Sequence, residues 1–179
     1  GVRWGQLDEI RDHRGSFVKL YSRKHVSSLL PHGQVVESFM THSAPGVLRG
    51  MHFQIPPKAY EKVVICMRGC VLDILLDLRI GSPTFKQYRR FRLSSSHWDY
   101  LLIPKGIAHG FLVFDEPALM LYHQTAEYAP DFDTGIKWNS FGFHWPQQNP
   151  NISDRDARFC SMDEFDSPFF FTAQEKQGA

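Results

Sequence analysis

Cysteine is scarce in this chain of 179 residues: Cys66, Cys70 and Cys160 are all there are, and no two form a Cys-x-x-Cys pair. That excludes a disulfide framework and a four-cysteine zinc site, and the three read as free thiols of a cytosolic protein. No uninterrupted apolar run approaches a membrane span, and no charged-then-apolar leader opens the sequence, so the expectation is a cytoplasmic protein with no membrane partner. Charge of one sign is also lacking. A net charge of +1 speaks against a nucleic-acid partner, which needs a basic excess. There is no Gly-rich dinucleotide or phosphate loop, no Gly-x-Ser-x-Gly elbow, and no cationic residue placed in sequence to activate a cysteine. With no internal repeat and no linker, residues 1–179 are expected to form a single domain.

Aromatic residues, in contrast, are plentiful at 14%, fifteen of them Phe. They favour β structure or an aromatic-lined pocket. Short apolar stretches separated by turn residues predict strands over Gln34–Phe39, Val47–Gln54, Lys62–Met67, Cys70–Leu78, Phe85–Leu93, Trp98–Ile103, Phe111–Phe114 and Leu119–Thr125. Eight strands at this spacing imply an all-β jelly-roll sandwich or barrel with short peripheral helices. One helix is expected over Ser22–Leu30. A second opens at Ser153 as N-cap, with Asp156 at the capping-box position. Thr172–Ala179 reads as a frayed tail.

Alternation within Cys70–Leu78 sets Leu72, Ile74, Leu76 and Leu78 on one face and Val71, Asp73, Leu75 and Asp77 on the other. Asp73 thus sits among apolar residues, where a carboxylate needs a partner; Lys62, across a tight turn, is the expected one. Tyr122 shares a face with Met120 and Gln124 and can point into a cavity.

The segment Gly46-Val-Leu-Arg-Gly-Met-His-Phe-Gln54 carries most chemical information. Arg49 and His52 would face opposite sides of a regular strand, so Gly50 must bulge the chain if both are to serve one pocket. A metal-dependent barrel would need a His-x-His pair, but His52-Phe53-Gln54 puts glutamine at the second ligand position. His52 and His109, even with Glu61, make a poor site for zinc or iron. No metal and no cofactor is expected. Acid–base work remains. His52 can act as a base near neutral pH, Tyr122 can give or take a proton, and Lys62 and Arg49 can hold negative charge. This set suits proton abstraction α to a carbonyl. Taken singly, each residue also has a plain structural role: a core histidine, a surface ion pair, a strand aromatic, a rim charge.

The chain resembles the dTDP-4-dehydrorhamnose 3,5-epimerases of nucleotide-sugar metabolism from about residue 12 to 158. The matching blocks include Asp12-x-Arg-Gly-x-Phe17, the Gly46–Gln54 segment, Lys62, Asp73-Ile-Leu-Leu-Asp-Leu-Arg79 and Ser82-Pro-Thr-Phe85. They continue through Ile103-Pro-Lys-Gly-Ile-Ala-His-Gly-Phe111, Tyr122, Tyr128, Gly135-Ile-Lys-Trp-Asn139, Trp145-Pro146 and Ile152-Ser-x-x-Asp156.

The resemblance implies a cupin-like jelly roll, no metal, and a homodimer that exchanges N-terminal strand segments. It implies His52 as base paired with Asp156, Tyr122 as acid on the opposite face of the sugar, and Lys62 as enolate stabiliser with Asp73 nearby. Arg14, Arg49 and His109 would line the substrate site toward the phosphates, and Tyr128 would pack near the nucleotide. Phe17, Lys19 and Gln54 complete the expected binding set.

The chain departs from the family at Lys19, where glutamate is usual, at Phe39-Met-Thr41 in place of Asn-x-Ser, and at Ser140-Phe141 in place of Asp-Pro. The implied substrate is an NDP-4-keto-6-deoxyhexose, dTDP- or CDP-linked, inverted at C3, C5 or both. The alternatives are a sugar-nucleotide 3,4-ketoisomerase on a similar barrel and a non-catalytic sugar-nucleotide-binding module.

Overall fold

The structure, a computed structural model, describes residues 1–22, 30 and 34–172. The helix expected over Ser22–Leu30 and the tail from Thr172 fall almost wholly outside these residues. The strands are β1 (Arg3–Gln6), β2 (Glu9–Asp12), β3 (Gly15–Val18), β4 (Glu37–Ser43), β5 (Leu48–Gln54) and β6 (Lys62–Arg68), followed by β7 (Cys70–Asp77), β8 (Tyr88–Ser94), β9 (Asp99–Ile103), β10 (Ile107–Val113), β11 (Ala118–Gln124) and β12 (Asp133–Gly135). A 3-10 turn spans Ser95–His97, and a single-turn helix, α1, spans Asp154–Ala157.

Two five-stranded antiparallel sheets, in the orders β1-β9-β6-β11-β4 and β12-β5-β10-β7-β8, make a cupin-like jelly roll. Among the described residues, β2 and β3 pair only with each other, as a separate hairpin.

Period-2 alternation divides the side chains among three apolar clusters. Val64, Cys66, Val71, Leu75, Phe111, Met120 and Tyr122 fill the space between the sheets. Leu72, Ile74, Leu76 and Leu78 turn outward, where the chain after Gly135 covers them with Trp145, Met162 and Phe169. Val63, Ile65 and Leu102 form a third cluster on the outer face of the first sheet. The two faces expected for β7 are those observed. Tyr122 does share its inward face with Met120.

The sequence reading missed β1, β2, β3 and β12. Each is three or four residues long with little alternation, and only pairing to a neighbour defines it. It also began β10 too late. Ile107–Gly110 read as the end of a turn, yet every residue of this strand is buried because it is the centre of its sheet.

Candidate active site

Gly50 shapes the site. Opposite β10, the span from His52 to Arg49 faces the shorter span from His109 to Phe111, so β5 carries one extra residue. Leu48, Met51 and Phe53 therefore point into the outer cluster, while Arg49, His52 and Gln54 line one cavity between the sheets. The bulge expected at Gly50 is present, and two properties require glycine there. Its φ is 130°, and a Cβ would lie 2.4 Å from the Gly110 Cα.

The cavity has a volume of about 350 Å³. The first sheet contributes Lys62 from β6 and Tyr122 from β11; the second contributes His52 and Arg49 from β5 and His109 from β10. Tyr128 lines the cavity from the loop after β11.

His52 is partly open, with 28% of its side chain exposed, and its Nε2 sits 2.9 Å from Asp156 Oδ1. That contact lies off the line of a straight hydrogen bond. Asp156 is locked from its own side. It is buried in α1, its Oδ2 accepts the Gly50 N–H at 3.1 Å, and its backbone N–H donates to the Ser153 hydroxyl at 3.1 Å. Burial pushes its carboxyl up, but the His52 ring, the Gly50 amide and the Ser153 hydroxyl hold it below the usual carboxylate range. Ser153 is the N-cap, as expected. The Asp156 side chain, however, reaches across to β5 instead of closing a capping box.

A second His–Asp pair lies deeper. His109 Nε2 is 2.7 Å from Asp73 Oδ2, and neither side chain is more than 4% exposed. Burial holds His109 below its ordinary value, against the pull of Asp73 and with a further push from Lys62. A neutral imidazole that faces a carboxylate must donate from Nε2, which leaves Nδ1 as the acceptor. Asp73 thus finds its partner in His109, not in Lys62 as the sequence suggested. Its other oxygen, Oδ1, has no hydrogen-bond partner among the described residues. Asp73 is fully buried and does not line the cavity; it acts on the cavity through its neighbours.

Lys62 is only 4% exposed. Its ammonium makes no hydrogen bond or ion pair with any described residue. Burial lowers its pKa to about 8, and the negative charges of Asp73 and Asp133 resist that fall. Tyr122 stacks on Phe39, centroids 4.7 Å apart and planes within 9°. Burial pushes its phenol well above the usual value, with Thr41 pulling the other way.

The other expected binding residues divide. Arg49 is aimed by a 2.8 Å bond from Nε to the Ser43 hydroxyl. Gln54 lines the cavity, but its amide is taken up by backbone: it donates to Lys58 O and Glu127 O and accepts from the Ala129 N–H. Arg14 and Phe17 do not reach this cavity. They sit on the exposed β2–β3 hairpin, where the Arg14 guanidinium is taken by Asp12, and Lys19 follows that hairpin. The sequence reading had overlooked Glu37, Tyr60, Asp133 and Arg155. Tyr60 was open to detection by its parity with Lys62. The ion pair of Asp133 with Arg155, at 2.5 Å, joins segments whose approach no local pattern announces.

The family model described as dTDP-4-dehydrorhamnose 3,5-epimerase matches residues 1–164. The chain belongs to this family. A dTDP-4-dehydrorhamnose 3,5-epimerase from Pseudomonas aeruginosa is 40% identical over 151 residues, 82% of this chain and 83% of that protein. A dTDP-6-deoxy-D-glucose-3,5-epimerase from Legionella pneumophila, solved with dTDP-4-keto-L-rhamnose, superposes with a TM-score of 0.89 at 30% identity, covering 96% of this chain and 94% of that one. A 3'-monoepimerase from Streptomyces bikiniensis, solved with dTDP-quinovose, gives 0.84 at 26% identity, covering 91% and 84%. The epimerase family thus includes enzymes described as acting at two carbons and at one.

Proposed function

We propose that this epimerase inverts a dTDP-4-keto-6-deoxyhexose at a carbon next to the 4-keto group. The observation that carries the reading is the placement of His52, backed by Asp156 of α1, on one sheet and Tyr122 on the other, with His52 and Tyr122 both lining one cavity with Lys62. His52 takes the α-proton, the C–H electron pair becomes the new C=C bond, and the carbonyl π pair moves onto oxygen. The Lys62 ammonium stabilises that oxyanion. The Tyr122 phenol then donates its proton to the same carbon from the opposite face, the C=C pair forming the new C–H bond as the ketone is restored. Asp156 holds the imidazole in place and favours the imidazolium that forms. His109 and Asp73 set the polar floor beside Lys62. No step requires a cofactor.

The family and the named relatives support dTDP over CDP as the nucleotide. Arg49 suits the diphosphate, and Tyr128 suits stacking near the base. Arg14, Phe17 and Lys19 lie too far out on their hairpin to act in their own subunit's cavity. We infer that the working form is a homodimer in which each hairpin completes the other subunit's site. Exposed Ile10 and Phe17, 65% and 58% accessible, support such a contact.

In deuterium oxide, dTDP-4-keto-6-deoxyglucose is expected to take up deuterium at C5, C3 or both, with NMR reading each carbon separately. If no 4-keto sugar nucleotide exchanges, the proposal fails.

A further inference from the structure

Tyr60 has no part in the mechanism above, yet it stands next to the group that needs most support. Lys62 brings a positive charge into a buried position without a hydrogen bond or ion pair to any described residue, and such a charge is costly unless something replaces water around it. An aromatic face is in place to do so: Lys62 Nζ lies 5.3 Å from the centroid of the Tyr60 ring, within the range of a cation–π contact. The two residues are two positions apart, and both line the cavity.

We propose that Tyr60 is a positioning residue for Lys62, its ring face seating the ammonium and keeping it charged where the enolate oxygen develops. The inference rests on the epimerase reading for its purpose, though not for its physics.

The other groups around Lys62 fit this assignment. Asp73 on β7 and Asp133 on β12 favour the ammonium through their charge. His109 on β10 is held neutral by burial and adds no competing cation. The phenols of Tyr122 on β11 and of Tyr60 itself are both pushed up by burial, so neither supplies a negative charge near neutral pH. Glu37, Arg49, His52 and Arg155 line the same cavity further round. Among the near groups, Tyr60 is the neutral one whose ring directly faces Nζ. Lacking charge, it can favour the ammonium without drawing it into an ion pair that would compete with substrate.

The test reads Lys62 itself, by NMR titration of the intact protein carrying lysine labelled with carbon-13 at Cε. Tyr60→Leu removes the ring and is expected to lower the Lys62 midpoint by about one pH unit, a tenfold shift in the protonation equilibrium. Tyr60→Phe keeps the ring and is expected to leave the midpoint in place. Phenylalanines with successive ring fluorines at position 60 preserve shape while draining the face of negative potential. They should lower the midpoint stepwise, which guards against a leucine variant that folds poorly. In the solvent-exchange assay the alkaline limb of kcat should move with the midpoint while KM holds. An unmoved midpoint in Tyr60→Leu, no trend with fluorination, or an equal fall in Tyr60→Phe would each overturn the assignment. Loss of exchange in the unmodified protein strikes the epimerase reading alone, because the titration needs no turnover.

Discussion

At the scale of single residues, the site separates the proposed acid, Tyr122, from the proposed base, His52, by environment. Burial keeps the Tyr122 phenol protonated far into the alkaline range, whereas His52 is partly open and backed by an ionised carboxylate. Tyr122→Phe should therefore leave proton removal intact but block delivery from the other face. Deuterium should still enter the substrate with retention of configuration, and NMR of the recovered sugar checks this; an inverted product from that variant would exclude Tyr122 as the acid.

Lys62 sets a second expectation. Its pKa is lowered to about 8 by burial, so the ammonium proposed to stabilise the enolate is present below that value and disappears above it. The kcat profile should fall along an alkaline limb near pH 8. Lys62→Met should lose about 10²–10³-fold in kcat and its residual activity should lack that limb. A limb unchanged in Lys62→Met would assign it to another group.

At the scale of elements, the end of β7 is pinned by a buried carboxylate. Asp77 accepts from the Arg79 backbone N–H and guanidinium and from the hydroxyls of Ser82 and Thr84, at 2.7 to 2.9 Å. This cluster holds the loop between β7 and β8, and no part of it lines the cavity. Burial raises the Asp77 carboxyl, and the four donating groups together hold it below its ordinary value.

A depressed carboxylate contributes stability above its unfolded pKa, and that stability is lost as pH falls through the folded value. Resistance to urea should therefore decline below about pH 4. Asp77→Ala should cost about 3–5 kcal/mol at neutral pH, because the buried Arg79 guanidinium loses its carboxylate. Urea midpoints across pH check both statements. A loss under about 1 kcal/mol would mean that the loop is held by packing alone.

At the scale of the whole molecule, the hairpin and the cavity belong to different parts of one chain. If each hairpin serves the other subunit, then His52→Ala and Arg14→Ala damage different halves of a shared site. Each homodimer should be weakly active. Co-refolded at equal amounts, half of the dimers should be mixed, each with one undamaged site, so about a quarter of all sites recover. Sedimentation measures the dimer, and solvent exchange measures the recovery. No recovery in demonstrably mixed dimers would place Arg14 in its own subunit's site or outside any site.

Much was legible from local pattern because the physics involved is local. Period-2 alternation assigned the faces of β7 and β11 correctly, since side-chain direction follows from neighbours along one strand. The bulge at Gly50 was legible because Arg49 and His52 could share a cavity only if an extra residue reset the alternation. The sandwich followed from the number and spacing of strands.

Pairing across the fold was decided by the tertiary structure. Asp73 has many candidate partners in sequence and one in space, His109, because β7 and β10 run side by side through the centre of a sheet. Tyr60, Asp133 and Arg155 join the cavity only once the sheets close on each other, and β12 exists only by pairing with β5. Arg14 and Lys19 make the same point in reverse: the family resemblance placed them at the site, while the fold of the single chain leaves them outside it. The sequence alone determined the type of chemistry, through side chains and their alternation. Which of those side chains meet depends on long-range contacts, and these form only when the two sheets pack.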